Sequence, residues 1–270
     1  MIMHPNMDPV ALSVGPLKVH WYGLMYLVGF VGGYWLGVYR AGRPGSGWNR
    51  DEVSDLLFYV ALGVILGGRL GYVLFYNLPH YLEQPQELLY IWTGGMSFHG
   101  GLVGVIIAMA LYARKTSRTF LQVSDFIAPL APLGLGAGRI GNFINQELWG
   151  KASDLPWAMV FPRTDPTLVP RHPSMLYEAL LEGVVLFVVL WSFSGRARPS
   201  GAVSGLFLVC YGLFRILVEL VRLPDAHIGY LYADWLTVGQ VLSIPMVLFG
   251  LWLMLRAGPE ASAGTARPSQ

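Results

Sequence analysis

Apolar residues in this chain fall into long runs separated by short polar connectors. Seven runs stand out: His20 to Tyr39, Ser54 to Tyr76, Ser97 to Ala113, Val123 to Ile144, Met175 to Phe193, Gly201 to Val221 and Trp235 to Leu255. A helix needs about 20 mostly apolar residues to cross a bilayer, and five of the runs reach or approach that length without interruption. The third is short, and the fourth is rich in Gly and Pro. The pattern predicts an all-α, polytopic membrane protein: one bundle of seven transmembrane helices within residues 1–256. The connector 145–173 carries Trp149, Trp157 and Phe161. It reads as an arm that either lies on the membrane surface or covers a site. The tail 257–270, rich in Ala, Gly, Pro and Ser, is expected to be disordered.

Composition agrees with a membrane bundle. Charged residues make up 13% of the chain and hydrophobic residues 54%, whereas a soluble domain carries roughly a quarter charged residues. Mean hydropathy is +0.50. The net charge of +2 is too small to indicate a nucleic-acid partner. The single cysteine, Cys210, lies in an apolar run and excludes both an intramolecular disulfide and a cysteine metal cluster. The six histidines form no close ligand pair, and no Walker loop or HExxH motif is present. Neither a metal nor a nucleotide cofactor is indicated.

The positions of the basic residues carry more information than their sum. Ten of the 18 alternate onto one side of the predicted bundle: Arg40, Arg43, Arg50, Arg114, Lys115, Arg118, Arg196, Arg198, Arg256 and Arg267. The other side has Lys18, Lys151, Arg163, Arg171 and, at its margin, Arg222. The positive-inside rule places the richer side in the cytoplasm. The N-terminus is then outside and the C-terminus cytoplasmic. Arg69, Arg139 and Arg215 remain, each inside a predicted span that runs outward and each late in that span. Snorkelling explains one such residue easily and three poorly. All three are expected in the outward-facing half of the bilayer.

Polar residues gather around two of these arginines. Gly134, Gly138 and Asn142 recur every four residues, with Ala137 and Gly141 at the same spacing, a pattern that lets helix backbones approach closely. Packing accounts for the glycines but not for Arg139, Asn142, Gln146 and Glu147 at the outer end. If the segment stays helical, Arg139, Asn142 and Gln146 share a face suited to a phosphate-bearing head group. Tyr211, Arg215, Glu219 and Arg222 form a second helical stripe. Glu219 either neutralises Arg215 or aims it at an anion, for which the planar guanidinium fork is well shaped. Glu178 and Glu182, four residues apart at the start of the fifth run, are candidate partners for the arginines. His99 lies between glycine pairs at the outer start of the third run. A neutral imidazole there has the chemistry of a general base, although a lone histidine also serves purely structural ends. Tyr22, beside Trp21, also fits an interfacial aromatic belt.

Several of these segments resemble one known family. The run Gly138-Arg139-Ile140-Gly141-Asn142-Phe143-Ile144-Asn145-Gln146-Glu147-Leu148-Trp149-Gly150 is similar to the signature of bacterial prolipoprotein diacylglyceryl transferases. So are His20-Trp21-Tyr22-Gly23, Phe98-His99-Gly100-Gly101, Arg171-His172-Pro173-Ser174 and Tyr211-Gly212-Leu213-Phe214-Arg215. The resemblance runs from about Asp8 to Leu255. It departs at Gln146, where members often carry a smaller residue. It implies a seven-helix enzyme of the bacterial inner membrane whose site faces the periplasm. Its substrates would be phosphatidylglycerol, drawn from the membrane lipid, and a preprolipoprotein signal peptide with its lipobox cysteine. No cofactor is implied. By the same resemblance His99, Arg139 and Arg215 are catalytic. Tyr22, Asn142, Glu147 and Gly150 match the family pattern as substrate-binding or shaping residues, and Arg69, Tyr211 and Glu219 join them as candidates.

The residues taken without the family leave two rivals. A transporter or channel for an anionic solute would use the same arginines, but it should carry polar groups through both leaflets and often shows repeats. The inner halves of the second, fourth and sixth runs have almost no charge, and no repeat is evident. A lipid-binding structural protein without turnover is the other.

Overall fold

The computed structural model describes residues 2–15, 17–90, 92, 94–224, 229–233 and 235–256. The tail 257–270, expected to be disordered, lies outside the described residues. Among the described residues ten α-helices follow in chain order: α1 Trp21–Ala41, α2 Arg50–Tyr76, α3 Leu78–Glu83, α4 Phe98–Lys115, α5 Phe120–Ile127, α6 Ala131–Asn145, α7 Ser174–Glu178, α8 Leu186–Phe193, α9 Ala202–Glu219 and α10 Val238–Arg256. A π-helical stretch, Ala179–Val185, joins α7 to α8, so that Ser174–Phe193 is one continuous helix. Four helices among the described residues are long and apolar enough to cross a membrane: α2, Ser174–Phe193, α9 and α10. Counting the bent pair α5–α6 as one span makes five. Each predicted run contains helix, but α1 and α4 fall outside this count. Both are long enough; Gly and Tyr in each, Trp in α1 and polar ends in α4 dilute their apolar character.

The chain divides into two compact units, residues 1–33 with 125–270, and residues 34–124. In the smaller unit α2 begins with a reciprocal cap. Asn49 Oδ1 accepts from the Glu52 amide at 2.9 Å, and the Asn49 amide donates to Glu52 Oε2 at 2.9 Å. Along their length α2 and α4 meet through glycine. A Cβ on Gly67 would lie 2.8 Å from Gly104 Cα and closer still to the Gly100 carbonyl oxygen. The backbones therefore touch where side chains would ordinarily hold them apart. Ser97 caps α4, its side chain accepting from the Gly100 amide at 3.2 Å.

In the larger unit the fourth apolar run is not one helix. It bends by 51° between α5 and α6, around Pro129, because proline lacks an amide donor and disfavours helix at the residue before it. Asp125, in α5, accepts from the amides of Gly201 at 2.6 Å and Ser204 at 2.7 Å and from Ser204 Oγ at 2.6 Å. It thereby caps α9 from another helix. Gly205 of α9 lies against Gly250 of α10, again a close backbone approach.

Short strands are an addition to the all-α expectation. β1, Ile2–Met3, pairs in parallel with β4, Met159–Val160. β2, Val10–Val14, and β3, Leu17–His20, form an antiparallel pair leading into α1. Strands of only two to five residues leave little trace in an apolar sequence.

The glycine contact sets a measurable expectation. Gly67→Leu should destabilise the detergent-solubilised protein by about 1–3 kcal/mol, the usual cost of overpacking, because the atoms it meets are backbone. A thermal midpoint equal to that of the unaltered protein would show that α2 and α4 do not depend on this approach.

Candidate anion-binding site

The larger unit holds a buried cluster of alternating charge. Its centre is Glu178, which is fully buried. Glu178 Oε1 accepts from Arg215 Nη1 in a short contact and from Arg222 Nη1 at 3.3 Å. Glu178 Oε2 lies 3.2 Å from Arg139 Nε. Arg215 Nη2 pairs with Glu219 Oε1 at 2.5 Å, and Arg139 Nη2 lies 3.5 Å from Glu182 Oε2. Three carboxylates thus face three guanidiniums. Burial of isolated ions costs several kcal/mol each, so such groups persist in a core only when paired.

Local backbone features make the convergence possible. Gly136 of α6 faces Gly183 of the π-helical stretch, and a Cβ on Gly136 would lie 3.0 Å from Gly183 Cα. This approach brings Arg139, one turn further along α6, to the helix carrying Glu178 and Glu182. The wide π turn itself contains Glu182; such departures from α geometry recur at functional sites. Glu219 has room because Gly239 lacks a side chain: a Cβ there would lie 2.6 Å from Glu219 Oε1. Gly239 is in the first turn of α10, where a helix N-terminus favours a carboxylate.

The arginines are held differently. Arg215 makes a directed hydrogen bond to Glu178, whereas Glu178 Oε2 and Glu182 Oε2, the atoms facing Arg139, have no aligned hydrogen-bond partner among the described residues. Arg139 is therefore held by charge more than by aligned donors. The closest ion-pair contacts of Arg139 run through Nε and Nη2, and those of Arg215 through Nη1 and Nη2. Both side chains keep some exposure, 18% and 16%. The cluster can offer donors to an incoming anion without first breaking all its internal pairs.

Tyr22 packs its ring on Gly141, where a Cβ would lie 2.7 Å from Tyr22 Cδ2. Tyr211 stacks on Phe207 at 5.8 Å. Both phenols are within electrostatic reach of the Arg139 guanidinium. Asn142 is buried and donates to Glu147 Oε2 at 3.2 Å, while Asn145 donates to Glu147 Oε1 at 3.1 Å. The expected face of Arg139, Asn142 and Gln146 stops at Asn142. The helix ends at Asn145, and Gln146 takes a left-handed φ of 60°. Gln146 is instead fully buried, donating to Asn6 Oδ1 at 3.1 Å and accepting from the Arg163 amide at 3.0 Å. It ties the N-terminal segment to the arm.

The arm 145–173 is a folded layer. Met159, Phe161 and Met175 form a buried cluster with Phe143, Trp149 and Leu176 around it. Arg171 pairs with Asp165 at 2.5 Å and stacks over Trp149 at 4.1 Å. Gly150 donates to the His172 carbonyl at 2.8 Å, and any Cβ there would strike the Val221 carbonyl oxygen. Only glycine lets the arm approach the end of α9 this closely. Burial lowers the His172 pKa, with the Lys151 charge adding to it. The arm's own polar contacts were not among the sequence candidates, because none has a fixed local spacing.

Two candidates belong to the smaller unit. His99 is exposed in the first turn of α4, its ring edge-on to Phe98 at 5.6 Å. Arg69 is buried, and backbone carbonyls accept all its donors: Leu88 at 3.1 Å, Gly94 at 2.6 Å, Gly95 at 3.2 Å, Glu87 at 2.6 Å and Tyr90 at 3.2 Å. Its fork is fully occupied by the protein itself.

A multi-helix membrane protein with paired arginines buried in a helical bundle is the class that fold and site define. Within that class, the profile of the family "Prolipoprotein diacylglyceryl transferase" matches residues 9–256, and the chain belongs to that family. Curated relatives named phosphatidylglycerol–prolipoprotein diacylglyceryl transferase match along nearly their whole length. One from Solidesulfovibrio magneticus is 60% identical over 97% of this chain and 99% of its own. One from Azotobacter vinelandii is 60% identical over 94% and 96%. One from Nitratidesulfovibrio vulgaris is 59% identical over 99% and 100%.

Glu178→Gln keeps the shape but removes the central charge. It should destabilise the protein by about 3–5 kcal/mol, the cost of leaving buried partners uncompensated, read as a lower unfolding midpoint in detergent. An unchanged midpoint would remove Glu178 from the centre of the network.

Asp165 gives a pH-dependent expectation. Its hydrogen bond from Arg171 holds its carboxyl below the ordinary range. A depressed acid contributes stability above its unfolded pKa, about 3.9, and loses it as pH falls through the folded value. Protease cleavage within the arm should therefore rise on acidification below about pH 4, using an acid-active protease. Asp165→Asn should show elevated cleavage already at neutral pH and a flatter acid response. Identical pH profiles would refute the pairing.

Proposed function

We propose that this chain transfers the diacylglyceryl group of phosphatidylglycerol to the lipobox cysteine of an exported preprolipoprotein, the first step of lipoprotein maturation. The observation that carries the reading is the pair Arg139 and Arg215, anchored on one buried glutamate with both side chains partly exposed. The substrate thiolate attacks the glyceryl carbon bearing the phosphate ester. The carbon–sulfur bond forms as the carbon–oxygen bond breaks, giving a thioether, and the electron pair leaves with glycerol phosphate. Negative charge grows on that leaving group, where preorganised donors are each worth about 3–4 kcal/mol in well-studied sites.

Because the nucleophile comes from the peptide, the enzyme needs no cysteine of its own. A thiol reacts as its thiolate, and His99 is the proposed base that takes its proton. Asn142 and Glu147 shape the head-group pocket with Gly150, Tyr22 and Tyr211 position lipid, and Glu219 with Arg222 steadies Arg215. We assign residues 1–256 to one membrane domain. We assign α1 and α4 as further spans, making seven, with the N-terminus periplasmic and the C-terminus cytoplasmic in the bacterial inner membrane. The unequal distribution of basic connectors supports that orientation.

Incubation of the purified protein with phosphatidylglycerol and a lipobox peptide, followed by mass measurement of the peptide, tests the reading. A gain of one diacylglyceryl group is expected. His99→Ala and Arg139→Ala should each remain folded and lose at least about 10²-fold in rate, the lower range for a lost acid–base or oxyanion-stabilising group. No mass gain by the unaltered protein would favour an anion transporter or a lipid-binding protein. Full transfer by either variant would remove that residue from the mechanism.

A further inference from the structure

We propose that Arg69 is a positioning residue: it sets the place of His99 by holding the segment that leads into α4, and it does not bind substrate. This rests on the reading of His99 as the base. Arginine has five N–H donors in a fixed planar fork. Here Nε goes to Leu88, Nη1 to Gly94 and Gly95, and Nη2 to Glu87 and Tyr90, all through backbone carbonyls. The fork is therefore saturated by carbonyls, with no carboxylate paired to it among the described residues. Its charge is met by carbonyl dipoles and by the Tyr81 ring, 5.1 Å from the guanidinium carbon. An arginine that received a phosphate would have to release carbonyls in a buried place, where each unsatisfied group is costly.

Two of the carbonyls it gathers, those of Gly94 and Gly95, come from the turn just before α4, and the other three come from residues 87–90. Gly94 and Gly95 both have positive φ, 87° and 76°, a conformation that aims their carbonyls inward and that side-chain-bearing residues rarely adopt. Two residues later the Ser97 amide donates to the Gly68 carbonyl at 2.9 Å, beside Arg69 on the same helix. Ser97 then caps α4, and His99 follows within its first turn. The path from α2 to the imidazole is thus short: Arg69 and Gly68 fix residues 94–97, and residues 94–97 fix the start of the helix that carries His99. Lysine could not replace this fork. It has one point of charge and three donors, which cannot reach five carbonyls arranged around a plane.

The test compares Arg69→Lys, Gly95→Ala and His99→Ala in the mass-gain assay, with kcat and KM for phosphatidylglycerol measured separately. Gly95→Ala leaves Arg69 intact but displaces the same turn, since its Cβ would lie 2.6 Å from the Tyr72 ring at a strained φ. Both Arg69→Lys and Gly95→Ala should lower kcat by about 10²-fold, the scale of an ångström-sized misplacement of a reacting group, with KM changed little. A raised KM at full kcat for Arg69→Lys would make Arg69 a substrate-binding residue and overturn the proposal. Full activity of both variants would overturn it too. If Arg69→Lys fails to fold, Gly95→Ala decides alone: a kcat loss at an unchanged thermal midpoint supports the proposal, and an unchanged kcat overturns it. His99→Ala separates the two readings. Full activity there defeats the base assignment itself, whereas an inactive His99→Ala beside an active Arg69→Lys defeats only the positioning role.

Discussion

The buried carboxylate of Glu178 is the constraint on which the larger unit depends. One acid with no exposed surface accepts from Arg215 and Arg222 and sits against Arg139. None of these charges is tolerable alone in an apolar bundle. The helices that carry them must therefore meet at one point, and the glycines supply the room: Gly136 against Gly183, and Gly239 beside Glu219. The π-helical stretch places Glu182 within reach of the same arginine. Packing and electrostatics are here one requirement.

That requirement also suits the proposed chemistry. A network whose pairs were all saturated would hold its arginines too well to greet a substrate. Arg139 is the exception within the cluster, since the carboxylate oxygens it faces lack directed hydrogen bonds among the described residues. Arg215 is gripped through both terminal nitrogens, one on Glu178 and one on Glu219. In the proposed reaction the difference divides the labour: one guanidinium firmly aimed, the other free to adjust as charge moves onto the departing phosphate. The arm meets the end of α9 at Gly150 and the N-terminal segment at Gln146, positions where the lack of a side chain or the backbone conformation decides the fit.

Much of this was legible in the sequence, and the limits have physical causes. The apolar runs announced helices because burial in lipid requires length and composition, and both are local properties. The stripe Tyr211, Arg215, Glu219 and Arg222 was readable because α9 keeps its period to Glu219, and the structure places Arg215 on Glu219. Glu178 and Glu182 were readable as partners, but the three-way role of Glu178 was not, since it depends on which helices meet. The face ending in Gln146 failed because a left-handed residue ended the helix one position earlier. Arg69 was grouped with the other two intraspan arginines on depth alone; its five carbonyl partners come from residues 18 to 26 positions away, and no spacing rule predicts them. The β1–β4 pair escaped for the same reason, and β2–β3 because its strands are so short.

The central claim is that Arg139 and Arg215, steadied by Glu178, receive the phosphate of the lipid substrate. Solid-state NMR can read this directly as dipolar dephasing between the phosphorus of phosphatidylglycerol and ¹⁵N-labelled arginine side chains in liposomes. The account predicts strong dephasing at hydrogen-bond separation, lost from the signals of whichever of Arg139 and Arg215 is replaced by lysine. Absence of dephasing in the unaltered protein, or its full persistence when both arginines are replaced, would contradict it.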